Sequence, residues 1–197
     1  MTPAASLRPV VRLVALLNLG CFGIEFAVAA AIGSVSLFAD SVDFLEDASI
    51  NLLILLALGW GARARAAAGM GLAALLLAPG IATLWTAWDK LRTPVAPDPL
   101  PLLLTAAGAL AVNLLCAVLL ARHRHAGGSL TRAAFLSARN DTLANVAIMG
   151  AATLTAAAGS RSPWPDLVVG LAIGALNAGA AVEVWQAAQG ERDEAEA

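Results

Sequence analysis

Charge is scarce in this sequence. Only 13% of its 197 residues are Asp, Glu, Lys or Arg, against 59% hydrophobic, where a soluble domain has about a quarter of its residues charged. That leaves too little polar surface to cover a water-soluble globule. With a mean hydropathy of +0.78, the solvent that fits is a lipid bilayer, which tolerates apolar side chains facing outward. The formal net charge is −2, so the basic surface that nucleic acid requires is missing and no nucleic-acid partner is expected. Cysteine is limited to Cys21 and Cys116. Both lie inside apolar runs without disulfide or metal-ligand spacing, and they read as small packing residues. Histidine is limited to His123 and His125, flanked by Arg122 and Arg124, which read as a basic loop that sets topology. The chain has no nucleophile–base pair and no cofactor loop, so neither an enzyme nor a resident cofactor is expected.

What the sequence does contain is six apolar runs, at 10–32, 35–60, 66–88, 99–121, 131–158 and 164–188. Each is long enough for a transmembrane helix, which needs about 20 mainly apolar residues. The breaks between them hold helix terminators: Gly33-Ser34, a basic loop from Gly61 to Arg65, a proline-rich stretch from Thr93 to Pro101, a basic stretch from Arg122 to Ser129 with Gly127-Gly128, and Gly159 to Pro165. The fold expected is all-α, a bundle of six transmembrane helices over residues 1–188 with a short acidic tail over 189–197, itself expected to be frayed. Arg8 and Arg12 before the first run resemble the start of a secretory signal, but the run is long and carries Glu25, so it reads as a retained first span. With the N-terminus cytoplasmic, eight basic residues fall on that side and three, Lys90, Arg92 and Arg161, on the other, which orients both termini to the cytoplasm. Trp85, Trp88, Trp164 and Trp185 sit near span ends, as in an aromatic belt.

Ionisable groups inside spans are costly and mark function by default. The second span has four carboxylates within eight residues, Asp40, Asp43, Glu46 and Asp47. Asp43 and Asp47 share one face at i and i+4, joined by Asp40, while Glu46 is rotated about 100° from Asp47. A divalent cation between them would relieve both repulsion and desolvation. The fifth span supplies a matching pair, Ser137 and Asp141, with Asn140 near the same face. At 1.5 Å per residue, Asp43 and Asp47 lie roughly 14 and 20 Å below the outer end of their span, and Ser137 and Asp141 roughly 21 and 15 Å below it. The pairs therefore meet at one level near the middle of the membrane.

At these residues the sequence resembles the cation diffusion facilitator family of metal/proton antiporters. The resemblance rests on Gly33-Ser34-Val35-Ser36-Leu37 leading into Asp40, Asp43 and Asp47, and on Ser137 and Asp141 in the fifth span. It implies six spans, cytoplasmic termini and a metal site of Asp43, Asp47, Ser137 and Asp141; by their positions in the spans Asp40, Asn140 and Glu46 read as accessory to that site, and Glu25 as an access-path or packing residue. Ser137 stands where the family has His or Asp, and the family's C-terminal cytoplasmic metal-binding domain is not expected here. An all-oxygen set suits harder cations such as Mn²⁺, although zinc also accepts Asp oxygens. The family leans towards zinc, cobalt, cadmium, iron or manganese. Because metal binding requires deprotonated carboxylates, counter-transported protons are expected, and with them metal export across a bacterial-type cytoplasmic membrane.

Other polar positions read more plainly. Asn113 and Asn177 are expected to form interhelical hydrogen bonds. Arg139 either snorkels to the cytoplasmic edge or pairs with Glu46, and Asp166 suits the start of its own helix. The small residues from Gly170 to Ala181 favour close packing and offer a surface for the expected homodimer. Two other readings stay open on the sequence: a non-transporting, metal-binding relative serving as sensor or accessory subunit, and a proton-coupled carrier of small organic cations.

Overall fold

The structure is a computed structural model that describes residues 3–57, 62–121, 128–157 and 162–196. Among these residues there are six helices and no strand: α1 (Pro3–Ile32), α2 (Val35–Ala57), α3 (Ala62–Arg92), α4 (Pro99–Ala121), α5 (Gly128–Ala157) and α6 (Trp164–Glu196). The all-helical expectation holds, with the helices running beyond the apolar runs at several ends. Residues 189–196 continue α6 as helix instead of fraying from it.

The helix ends follow from local chemistry. Gly33 adopts φ +63°, which the absence of a Cβ permits at little cost. The Ser34 amide then returns to the Ala29 carbonyl at 3.1 Å, the pattern that closes a helix around a left-handed glycine. Ser34 immediately caps the next helix, its hydroxyl accepting from the Leu37 amide at 3.2 Å. Two residues thus end α1 and start α2, which forces the two helices to run antiparallel side by side. Asp98 caps α4 through the Leu100 amide at 3.1 Å, with Pro99 in the first helical position, where no amide hydrogen is needed.

α2 is central. It packs against α1, α3, α5 and α6, while α4 pairs with α5 and α1, and α3 with α6. The result is a four-helix unit of α1, α2, α4 and α5, with an α3–α6 pair laid against α2 and, through α6, against α5. The largest apolar core joins Ala29, Leu37, Phe38, Leu102, Ala106, Ile148, Ala152 and Ile173 and lies toward the end that carries the Gly33-Ser34 turn. The outer surface is inverted relative to a soluble protein. Leu16, Ile24, Leu84, Leu104, Leu143, Leu154 and Leu176 are all exposed, as are the four span-end tryptophans, while Asp40, Asp47, Glu25 and Lys90 are buried. This is the arrangement a hydrocarbon solvent imposes. By length and apolarity alone, Arg8–Ile32 and Pro99–Ala121 qualify as spans, with mean hydropathies of 2.0 and 2.3.

One polar node fastens the α3–α6 pair to α2. Asp166, in the first turn of α6, accepts the Ser34 and Ser36 hydroxyls, both at 2.6 Å. It also accepts the Val35 and Ser36 amides at 2.9 and 3.2 Å and the Lys90 ammonium from α3 at 2.8 Å. Asp166 therefore does more than suit its own helix: it caps α2, whose first amides would otherwise lack partners. Lys90, counted from the sequence as an outer-loop charge, is only 6% exposed. Gly170, one turn further along α6, lets the two backbones touch. A Cβ there would lie 2.6 Å from the Ser36 nitrogen and from the Val35 carbonyl carbon.

Candidate metal centre

Helical period places Asp43 and Asp47 on one face of α2, and the bundle turns that face toward α1 and α5. Asp43 is in the electrostatic field of Asp141, Asp40, Glu46 and Asp47, and Asp141 in that of Asp47, Asp40 and Glu46. The two helices therefore bring their carboxylates into one neighbourhood. Asp47 is buried, while Asp43 and Asp141 are half-buried. Among the described residues no three His, Cys, Asp or Glu side chains are grouped tightly enough to hold one ion. Asp43, Asp47 and Asp141 thus share a region without converging on a point. The side chains of Ser137, Arg139 and Asn140 lie outside the described residues, and with them the fourth-ligand position and the Arg139–Glu46 pair. His123 and His125 lie outside them as well.

Asparagines hold the carboxylates in place. The Asn18 amide donates to Asp47 Oδ2 at 3.4 Å, and its oxygen accepts from the Cys116 thiol at 3.6 Å, so α4, α1 and α2 are linked in a chain. Both thiols are free; Cys116 is buried and does more than fill space, while Cys21 is half-buried. Asn51 and Asn145 each stand one turn after an acidic residue and donate back to its carbonyl, Asn51 to Asp47 at 2.7 Å and Asn145 to Asp141 at 2.9 Å. Asn145 also donates to Asp40 Oδ1 at 3.3 Å. Sequence reasoning missed Asn145, although its i+4 spacing from Asp141 inside a span was the signal to follow. Asn177 donates to the Ala39 carbonyl at 2.9 Å, the interhelical bond expected of it. Asn113 does not behave as expected. It is buried, yet neither its side-chain nitrogen nor its side-chain oxygen has a hydrogen-bond partner among the described residues.

Glu25 completes the picture. It is 1% exposed, and its carboxyl group adjoins that of Asp40. The α1–α2 contacts follow one antiparallel register. Seven residues forward in α1, from Asn18 to Glu25, match seven back in α2, from Asp47 to Asp40. The Asn18–Asp47 and Glu25–Asp40 levels are therefore about two turns, or roughly 10 Å, apart.

A family model described as the cation efflux transmembrane domain matches residues 11–187 of this chain. No curated protein matches it.

Proposed function

This chain belongs to the cation efflux family, and from that premise we propose that it exports a divalent metal ion from the cytoplasm in exchange for protons. A cation transporter of this family is an integral membrane protein with the bilayer as its surroundings and a metal ion as its substrate. The finer reading assigns the cargo to Asp43 and Asp47 of α2 and to Asp141 of α5, with Ser137, Asn140 or water as fourth ligand. The observation that carries it is the gathering of carboxylates from two packed helices into one neighbourhood, with Asp47 buried and Asp43 and Asp141 half-buried. Buried like charges are unfavourable unless a cation or protons compensate them, so the region alternates naturally between a metal-bound and a protonated form.

The direction of coupling follows from charge. Metal binds the deprotonated carboxylates, so affinity falls as pH falls. Protons from an acidic outer side displace the ion there, and the protons then leave to a less acidic cytoplasm. The excess of basic residues on the side holding the termini supports cytoplasmic termini in a bacterial-type inner membrane.

The test is metal uptake into proteoliposomes with an acidic lumen, run for Zn²⁺, Cd²⁺, Co²⁺, Fe²⁺ and Mn²⁺. Wild-type uptake should rise with the pH difference for at least one ion, and Asp47→Ala should reduce it to the level of empty vesicles. Uptake insensitive to the gradient would remove the antiport step. Binding without uptake for any ion would favour the sensor or accessory reading. A second expectation concerns positioning. Asn18→Ala removes a hydrogen bond to Asp47 but no ligand, and it should weaken metal binding about tenfold with unchanged stoichiometry. An unaltered affinity would show that Asn18 does not orient Asp47.

A further inference from the structure

Two turns outward from Asn18–Asp47, at the level of Glu25 and Asp40, lies a second polar group that the central site does not use. Glu25, Asp40 and Asn145, from α1, α2 and α5, are respectively 1%, 0% and 0% exposed. Four of their oxygens, Glu25 Oε1 and Oε2, Asp40 Oδ2 and Asn145 Oδ1, have no hydrogen-bond partner among the described residues. Asn145 has already committed its amide nitrogen to Asp40 Oδ1 at 3.3 Å and to the Asp141 carbonyl at 2.9 Å. The amide group is thereby tied to Asp40, and its oxygen is left buried without a donor among the described residues.

We propose that Glu25, Asp40 and Asn145 form a second binding site for a divalent cation, one level outward from the Asp43–Asp47–Asp141 region. The inference rests on the transporter reading and deepens it, since the same cargo would occupy the site on its way out. Buried oxygens without donors are strongly disfavoured, each costing a desolvation penalty that nothing offsets. A single proton shared between Glu25 and Asp40 would engage one oxygen of each and leave the second Glu25 oxygen and Asn145 Oδ1 without a donor. A divalent cation coordinates several oxygens together, and an all-oxygen set of two carboxyls and an amide carbonyl is the donor chemistry of hard divalent ions. The site also has a route to the central one. Asn145 and Asp141 are one turn apart on α5, and Asp40 and Asp43 about one turn apart on α2, so the two oxygen sets are neighbours along both helices. The main apolar core then lies around and beyond this outer level, where Leu37 and Phe38 precede Asp40 by one turn or less.

Equilibrium binding of Zn²⁺ and Mn²⁺ to the purified full chain, with stoichiometry as the readout, tests this. Wild type should bind two ions. Asp47→Ala/Asp141→Ala should bind one, and Glu25→Gln/Asp40→Asn should also bind one while its proteoliposome uptake falls at least tenfold. Each variant is checked for a monodisperse elution profile and a thermal transition. If the double variant of the outer site does not fold, Glu25→Gln and Asp40→Asn are measured singly, and either should lose the second equivalent. One ion in wild type, lost in Asp47→Ala/Asp141→Ala and retained in Glu25→Gln/Asp40→Asn, would overturn the second site, identify a proton-sharing carboxyl pair and leave the transporter reading standing. No binding of either ion by wild type would remove both together.

Discussion

Asp166→Ala is expected to destabilise the fold by about 3–5 kcal/mol, the range seen when one partner of a buried ion pair is removed. The reason is not only the lost attraction. Asp166 is 1% exposed and Lys90 6% exposed, so the ammonium would be left buried without the carboxylate that now pairs with it. Two serine hydroxyls and the first amides of α2 would lose their acceptor in the same step. Thermal unfolding in detergent, followed by helical circular dichroism, measures the effect. A graded series separates its causes. Asp166→Asn retains an acceptor for the serines and amides but not the charge, and should fall between wild type and Ala. Lys90→Met combined with Asp166→Asn removes the stranded ammonium and should recover part of the loss, since replacing both members of a buried pair costs far less than removing one. A loss below about 1 kcal/mol for Asp166→Ala would mean that the node contributes little and that water reaches it freely.

Gly170→Val should prevent α2 and α6 from meeting. Even the Cβ alone would sit 2.6 Å from the Ser36 nitrogen and the Val35 carbonyl carbon, and 2.7 Å from a Val35 methyl. Two of these three atoms are backbone and cannot swing aside, so the helices themselves must separate. Overpacking in a tight interior costs about 1–3 kcal/mol and occasionally more, and here the displacement would also pull Asp166 away from the amides it caps. The expected result is a loss of about 3 kcal/mol or more for Val and a smaller loss for Ala. Gly174→Ala is the internal control. Its added Cβ would meet only the Thr83 methyl, at 3.7 Å, an ordinary contact, and stability should stay within about 0.5 kcal/mol of wild type. Equal tolerance of Val at 170 and Ala at 174 would contradict the close approach of α2 and α6.

These two substitutions concern the attachment of α3–α6 to the helix that carries Asp40, Asp43 and Asp47, and it is this kind of relation that sequence reasoning reached least. Asp166 was legible as an acidic residue in the first turn of a helix, which is a local property. That its oxygens would be used by a different helix, 130 to 132 positions away, was not. Lys90 looked like a loop charge because it follows two tryptophans and precedes a proline-rich stretch. Only packing reveals that α3 carries it inward onto Asp166. Glu25 was legible as a carboxylate inside the first span, but the group it meets depends on how α2 is set against α1.

The sequence by itself determined the six helices, their approximate ends and the faces that hold the carboxylates. Each of these follows from short-range rules: apolar length, a left-handed glycine followed by a capping serine, and a period of 3.6 residues. It also determined that the chain belongs in lipid, because composition alone decides which solvent its surface can face. The tertiary structure decided the partners. Rotation of each helix about its axis and the register between neighbours select which buried polar group meets which, as with Asn18 and Asp47, separated by 29 positions, or Asn145 and Asp40, separated by 105. In an apolar interior those choices matter because an unmatched polar atom is costly there, and no short-range pattern in the chain records them.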